Sequence, residues 1–487
     1  MLFSSLSFLF LFLPLCLIIY HILPEKKIIY RNIFLLIVSL FFYAWGGTWY
    51  LLLMLSVITV NYLGALWISK DYGKTGKDSE NQSKPKKHRL FLLLLANLSI
   101  LFYFKYFNFF ISIIEGITSR SLNIFEVLLP IGISFYLFQA MSYAIDVYNK
   151  KVNAQKNFFK LALYISLFPA LIAGPIIKYA DLEQQIETRE HSSRGFYYGV
   201  KRFIYGLAKK VLIANVLGET ADSIFAGRPS VLGMSAAWIG IVLYALQIYY
   251  DFSGYSCMAI GLSRMFGFKI KENFNYPYIS ASITEFWKRW HISLTSWFRE
   301  YVYIPLGGNR KGVFKTYINI IIIFLVSGLW HGANYTFVVW GAFYAFFIVI
   351  ERLFLGRVLK KIKIINWLYT IVIVLIAWVF FRSPDIEYAL QYTAAMFGSY
   401  GSGGQTQDSY LTMNAFFVLP FAVLFSGFIQ LWTTKLLSLK LFEKVKSKKW
   451  VNNILFFAEA ISLFALFGLV LLMLANNTYN PFIYFQF

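Results

Sequence analysis

Two of the five histidines lie where an imidazole is suited to chemistry. His331 lies in SGLWHGAN, residues 327–334, between two apolar stretches. An ionisable side chain is costly there, which indicates a functional role. A glycine before Trp330 and another after His331 allow a ligand or a second backbone to approach the ring. Asn334 is predicted to hydrogen-bond the imidazole if the turn is helical. A structural histidine bonded to a carbonyl is the alternative.

His291 lies in a more charged stretch, ITEFWKRWHISL, residues 283–294. In a continuous helix Trp287, Lys288 and His291 share one face, and Trp290 immediately precedes the histidine. The stretch is too charged to cross a membrane. It is predicted to lie flat or to enter part-way, lining a cavity with basic groups. An amphipathic interfacial helix without chemistry is the competing interpretation.

A third polar patch comprises QIYYDFSGYSCMAIGL, residues 247–262, and ENFNYPYIS, residues 272–280. Asp251 lies in an apolar run and must be paired, protonated or exposed to water. Asn273 is a further candidate in the same patch. The two histidines have no third metal ligand nearby in sequence, so no metal site is expected. A GxSxG elbow and a P-loop are also absent from the sequence.

The composition indicates a membrane protein. Hydrophobic residues make up 59% of the 487 residues, and apolar runs long enough to cross a bilayer recur. The expected fold class is all-α and polytopic, with a single transmembrane domain over residues 1–475 and an external tail over 476–487. The predicted spans are 2–20, 28–45, 49–68, 90–107, 125–145, 158–177, 198–217, 231–262, 317–330, 335–350, 364–381, 411–432 and 454–474.

The net charge of +22 comes from short loops between these apolar stretches. Lysine and arginine cluster at residues 70–89, 150–160, 352–363 and 435–449. This positive-inside pattern predicts that the four loops are cytoplasmic and attract anionic lipid, and no nucleic-acid partner is expected. Residues 383–410 carry acids and no lysine or arginine, and are predicted to be external. Both termini are then external.

The C-terminal sequence NPFIYFQF, residues 480–487, is apolar and contains one phenol, Tyr484. An external segment of this kind is unlikely to lie in water. It is predicted to lie in the membrane interface or to fold back into a cavity. An aromatic anchor at the membrane edge is the simpler interpretation.

ITEFWKRWHISL, YVYIPLGGNR and SGLWHGAN together resemble the membrane-bound O-acyltransferase family, in its bacterial alginate O-acetylation and D-alanyl-teichoic-acid branch. LLPIGISFYLFQAMSYAIDVY, LIAGPI and YYDFSGYSCMAIGL are similar to the same branch, and the resemblance covers most of the chain from Phe3 onward. It implies a ring of helices around a thin core with cytoplasmic and external funnels, in the bacterial inner membrane. It also implies that His331 is catalytic and His291 important for activity. Cys257 departs from the pattern, because relatives often carry an acid there.

The resemblance further implies transfer of an acyl group, acetyl above all, to an external polysaccharide. The donor would be acetyl-coenzyme A or an acyl carrier protein, with no bound cofactor. The tail is similar to a C-terminal motif proposed to carry the acyl group on its tyrosine, here Tyr484. An external acyltransferase of the SGNH type would then take the group onward. Candidate residues of the substrate and donor funnel are Trp330, Asn334, Asp251, Trp287, Lys288, Trp290 and Asn273.

Two other functions fit the sequence. A transporter or flippase for an acyl donor or a lipid-linked sugar would use His331 and Asp251 as a substrate or proton path. A lipid or protein acyltransferase of the same fold would use the same histidines, and its aromatic tail would be only an anchor.

Overall fold

The computed structural model describes residues 1–70, 86–122, 124–359, 363–400, 410–437, 449–476, 479–481 and 483. These residues form helices and connecting turns, and no β-strand occurs among them. The all-α prediction is confirmed. Tyr484 and its neighbours 482 and 485–487 lie outside the described residues.

The described part of the chain contains seven helices long and apolar enough to cross a membrane. Two shorter apolar helices precede them, Phe8–Ile22 and Ile28–Ala44. The protein is therefore polytopic, as its composition predicts. The seven spanning helices are Thr48–Ser69, Lys87–Thr118, Val313–His331, Tyr335–Val358, Ile364–Arg382, Met413–Thr433 and Asn453–Asn476.

The chain divides into two compact units. The first comprises residues 1–200 and 259–271, and within it α3 packs on α6 and α2 on α7. Its helices are α1 (Leu13–Ile22), α2 (Ile28–Ala44), α3 (Thr48–Ser69), α4 (Lys87–Leu101), α5 (Phe107–Thr118), α6 (Ile133–Tyr148), α7 (Phe158–Ser166), α8 (Phe168–Leu171), α9 (Tyr179–Glu187) and the start of α10 (Ser193–Ala208).

The second unit comprises residues 201–258 and 272–487, and it holds both candidate histidines. A π-helical turn, Lys209–Ala214, continues α10. The further helices are α11 (Asn215–Phe225), α12 (Met234–Met265), α13 (Ile283–Arg289), α14 (Ile292–Phe298), α15 (Val313–His331), α16 (Tyr335–Ile350), α17 (Gly356–Leu359), α18 (Lys363–Arg382), α19 (Ile386–Met396), α20 (Met413–Val423), α21 (Ile429–Leu437) and α22 (Lys449–Asn476). The last residues of α12, 259–265, belong to the first unit.

Two predicted spans are shorter than expected because turn residues interrupt them. The span predicted over 125–145 becomes helical only at Ile133, after Gly132 adopts a left-handed φ of 78°. The span predicted over 158–177 ends at Ser166, since Leu167 leaves the helical region and Pro169 starts the short α8. Proline at the start of a helix is well tolerated, whereas inside one it removes a hydrogen bond.

α15 and α16 pack closely against each other in the second unit. Glycines make this possible: a Cβ on Gly328 would collide with the Phe337 carbonyl, and one on Gly341 would collide with the Phe324 carbonyl. Small residues at such crossings let apolar helices approach closely within a membrane. The pair fixes the end of α15, where His331 lies.

Candidate active site

His331 is the last residue of α15. Gly332 is extended, and Asn334 caps α16 by accepting a hydrogen bond from the Thr336 amide at 3.1 Å. The Asn334 Nδ2 donates to the Pro384 carbonyl at 2.8 Å. The turn is therefore not helical, and the condition for the predicted bond from Asn334 to His331 is not met. Capping describes Asn334 better, because the side chain satisfies an amide at a helix start.

Aromatic rings enclose His331, whose residual exposure is 5%. Its ring centroid lies 4.9 Å from Trp330, 5.1 Å from Trp340 and 5.2 Å from Phe381, and all three rings stand nearly perpendicular to it. Edge-to-face packing of this kind restricts ring orientation as well as burying area. His331 is thus held in a narrow range of orientations.

The predicted continuous helix around His291 is wrong. The chain breaks there into α13 and α14, and His291 adopts a left-handed φ of 44°. The break is stabilised by the segment before α13: the Ile292 amide donates to the Asn273 carbonyl at 2.8 Å. Left-handed backbone in a non-glycine residue is strained, and such strain occurs where surrounding contacts impose it.

Asn273 also determines the tautomer of His291. Its Oδ1 lies 3.2 Å from His291 Nδ1 and accepts from the Ser293 amide at 3.1 Å and the Ser293 hydroxyl at 2.9 Å. A carbonyl oxygen only accepts, so Nδ1 carries the proton and the lone pair is on Nε2. Complete burial lowers the pKa of His291 to about 3, which keeps the imidazole neutral.

The rings of the two histidines both pack near one indole, that of Trp330. The Trp330 centroid lies 6.2 Å from His291 and 4.9 Å from His331. The structure thus brings together the two histidines that the sequence singles out. Trp290, in contrast, is buried in the aromatic core, 4.9 Å from Trp378, and contributes packing.

A cavity of about 970 Å³ is bordered by Trp287 and Ser327, and neither candidate histidine is among its described lining residues. Ser327 is one helical turn before His331, and Trp287 contacts Trp340, the ring that packs on His331. None of the described lining residues is acidic. Five are cationic: Lys288, Arg299, Arg310, Lys311 and Arg352. The stretch around His291 therefore does border a basic cavity, as its charge predicts, and an anionic ligand is favoured there.

Asp251 is paired, one of the three states that its sequence context allows. Its Oδ1 lies 2.7 Å from Lys210 Nζ, and the two side chains are 2% and 4% exposed. Sequence reasoning did not single out Lys210, although the predicted span 198–217 includes it. The signal that indicates it is a lysine within an apolar run, which requires a buried partner of opposite charge.

The sequence matches the model of the membrane-bound O-acyltransferase family over residues 37–384. The chain belongs to this family, and it is a membrane acyltransferase. It is 41% identical to the probable alginate O-acetylase AlgI of Pseudomonas putida, over the full length of both chains. It is 35% identical to the peptidoglycan O-acetyltransferase of Helicobacter pylori, over 82% of this chain and 80% of the relative. The teichoic acid D-alanyltransferase of Bacillus subtilis is 29% identical, over 44% of this chain and 57% of the relative.

Proposed function

We propose that the protein is an O-acetyltransferase of the bacterial cytoplasmic membrane, supplying acetyl groups for an extracytoplasmic polysaccharide such as alginate or peptidoglycan. The names of its relatives support the acetyl group and the polysaccharide acceptor. The basic cavity bordered by Trp287 and Ser327 is the observation that carries the proposal. An acyl thioester of coenzyme A or of a carrier protein is phosphorylated, and five cations suit such an anion.

The donor enters from the cytoplasm in this proposal. Arg352 lines the cavity, and it begins the basic segment 352–363 near the end of the spanning helix Tyr335–Val358. Basic loops are retained on the cytoplasmic side, so the cavity opens to that compartment. The same rule makes the loop before α22 cytoplasmic and both termini external.

His331 acts as the general base in this proposal. It takes the proton from the attacking hydroxyl as the oxygen adds to the thioester carbonyl, and the thiol leaves when the carbon–sulfur bond breaks. His291 supports the site through Trp330. In the relay that we propose, the first hydroxyl is the phenol of Tyr484. A phenol is a good temporary carrier, since its pKa near 10 makes the aryl ester more reactive than a sugar ester.

The acceptor hydroxyl then attacks the ester on Tyr484, and the phenol is regenerated. An external acyltransferase of the SGNH type would take part in this second transfer. A lipid or protein acceptor would need no such relay.

The test is labelled acetyl transfer in membranes from cells that produce His331→Ala or the wild type. The variant is expected to insert normally and to label neither the tail nor the polysaccharide. Labelled polysaccharide at the wild-type level would contradict the assignment. Intact donor accumulating inside vesicles without covalent label would instead support a transporter.

A second variant tests the relay. Tyr484→Phe keeps the aromatic ring and removes only the hydroxyl that would accept the acetyl group, so it is expected to bind the donor normally while losing transfer to the tail and to the polysaccharide. Undiminished polysaccharide acetylation would contradict the relay and leave a tail that only anchors.

A further inference from the structure

The C-terminal segment is held in the second unit by polar groups that the proposed chemistry does not use. The Asp251 Oδ2 accepts a hydrogen bond from the Ile483 amide at 2.9 Å. Lys210 Nζ donates to the carbonyl of Pro481. Both contacts are to the backbone of the tail, so they do not depend on its side chains.

Close helix packing brings Lys210 and Asp251 together. A Cβ on Gly206 would lie 2.6 Å from the Gly254 carbonyl, and one on Gly254 would lie 2.8 Å from the Gly206 carbonyl. The two backbones therefore nearly touch. Lys210 lies about one turn from Gly206 on its helix, and Asp251 lies about one turn from Gly254 on the other. Their ion pair, at 2.7 Å, is consequently buried rather than solvated.

A buried ion pair is favourable only when its remaining hydrogen-bonding positions are satisfied. The tail supplies this through one carbonyl to the lysine and one amide to the carboxylate. The tail therefore satisfies hydrogen-bonding groups of the ion pair, and the ion pair satisfies backbone groups of the tail.

Two further contacts extend the attachment along the tail. The Tyr479 hydroxyl donates to Asp222 Oδ2 at 2.5 Å, and the other Asp222 oxygen is paired with Arg382 at 2.8 Å. The Asn215 side chain donates to Asn480 Oδ1 at 3.3 Å. The side chain of Ile483 is buried, at 3% exposure. An aromatic anchor in lipid needs none of these polar contacts.

We propose that Lys210 and Asp251 are positioning residues that bind the backbone of the C-terminal segment and fix its register. This binding, called the dock below, would hold Tyr484 at one position for acyl transfer. The proposal rests on the proposed relay through Tyr484. Docking itself is independent of chemistry and is measured separately.

The first test removes a single donor from the tail. Ile483→Pro deletes the amide that Asp251 accepts, whereas Ile483→Ala keeps that amide and removes apolar area. Purified variants in detergent are treated with a carboxypeptidase, and intact mass gives the end point. The wild type is expected to retain residues 479–483. Ile483→Pro is expected to lose them about tenfold faster or more, since a hydrogen bond to a charged group is broken, and faster than Ile483→Ala. The reverse order of the two variants, or equal trimming of Ile483→Pro and the wild type, overturns the docking role.

The second test keeps an ion pair between positions 210 and 251 but removes its hydrogen bonds to the tail. In Lys210→Asp combined with Asp251→Lys, opposite charges still face each other, but the new lysine cannot accept from an amide and the new carboxylate cannot donate to a carbonyl. This double variant is expected to fold, by size exclusion and thermal midpoint, and to lose tail protection. Lys209→Met is the matched control, because that neighbouring lysine lies beside Cys257, 3.6 Å away, and it should protect the tail fully. A double variant that folds and still protects its tail overturns the proposal. If the double variant does not fold, the comparison of Ile483→Pro with Ile483→Ala tests the proposal instead.

The two proposals fail differently. His331→Ala should leave the tail protected, and breaking the dock should lower acetyl label on Tyr484 by about tenfold or more while the donor still binds. Rapid carboxypeptidase trimming of the wild-type tail contradicts the docking proposal, whatever group the enzyme transfers. A protected tail with no acetyl label on Tyr484 sinks the relay, and with it the positioning role.

Discussion

A buried histidine is useful in catalysis only when its proton is held on one nitrogen. Asn273 does this for His291 by occupying Nδ1 with a carbonyl oxygen that also binds the amide and hydroxyl of Ser293. The asparagine was a candidate funnel residue from sequence. The contacts instead give it a supporting role, since it is completely buried and orients the imidazole that packs on Trp330.

Asn273→Ala is expected to lower the acetyl-transfer rate and to destabilise the protein by about 1–3 kcal/mol, because the buried donors of Ser293 and His291 lose their acceptor. Donor affinity should change little. The matched control is Ser256→Ala, which removes only the group that accepts from Asn273 Nδ2 at 3.1 Å. Initial rates against donor concentration and thermal midpoints in detergent provide the measurement. Equal effects of the two variants would argue against an orienting role.

His191 gives the first unit a dependence on pH. Its Nδ1 lies 3.0 Å from Arg31, which can only donate, so the ring must be neutral, and its Nε2 faces the Tyr20 hydroxyl at 2.9 Å. Burial, followed by the charge of Arg31, lowers the pKa of His191 to about 4, although Glu25, 3.3 Å away, opposes this.

Because the folded pKa lies below the unfolded value near 6.5, the unfolded chain binds the proton first as the pH falls. The stability that the neutral ring contributes is therefore complete above pH 6.5 and is lost between about pH 6.5 and 4. His191→Asn, which has no titrating group, should show a shallower fall in thermal midpoint over this interval. Parallel curves for variant and wild type would contradict the neutral assignment.

The sequence singles out His331 because an ionisable side chain between two apolar stretches is conspicuous, and it singles out His291 because the surrounding stretch is both charged and aromatic. It was not sufficient to find what each one contacts. Lys210 pairs with a residue 41 positions later, and Asn273 bonds across the break at His291. Such contacts depend on tertiary packing, which no local pattern encodes. The position of Tyr484 remains a prediction, as it lies outside the described residues.

At the scale of elements, the pairing of α15 with α16 determines where His331 lies. Gly341→Ala is expected to separate the two helices, because the added Cβ would overlap the Phe324 carbonyl. A cost of about 1–3 kcal/mol in stability is expected, as for other overpacked sites, together with a lower transfer rate. Gly468→Ala is the control, since a Cβ there meets nothing within 4 Å. Thermal midpoints and labelled acetyl transfer distinguish the two. A harmless Gly341→Ala would show that the helices tolerate separation.

Long apolar helices were the most predictable elements. Val313–His331 and Tyr335–Val358 match predicted spans within a few residues at most ends. Prediction failed where one residue changes the backbone direction: at Gly132, at Leu167 before Pro169, and at His291. Hydrophobicity does not register such breaks. At His291 the left-handed turn is held by backbone bonds to the segment of Asn273, which only the fold brings near.

At the scale of the whole molecule, the distribution of charge predicts which parts of the protein face each side of the membrane. The basic cavity and the basic loops share Arg352, so donor entry and the cytoplasm should coincide. The acid-bearing segment 383–410 should face the opposite compartment. An enzyme with both sites on the same side would need no membrane to separate donor from acceptor.

Cysteine labelling tests this sidedness. Ser296 lines the cavity and Ser399 is exposed within the acid-bearing segment. With the buried Cys16 and Cys257 replaced by alanine, Ser296→Cys should react with a membrane-impermeant maleimide in inverted vesicles and not in spheroplasts. Ser399→Cys should show the opposite pattern. Acetyl-coenzyme A should slow labelling at position 296 alone, because a phosphorylated donor would occupy the cavity. Labelling of Ser296→Cys in intact spheroplasts would place the cations on the acceptor side, where a cytoplasmic thioester has no access.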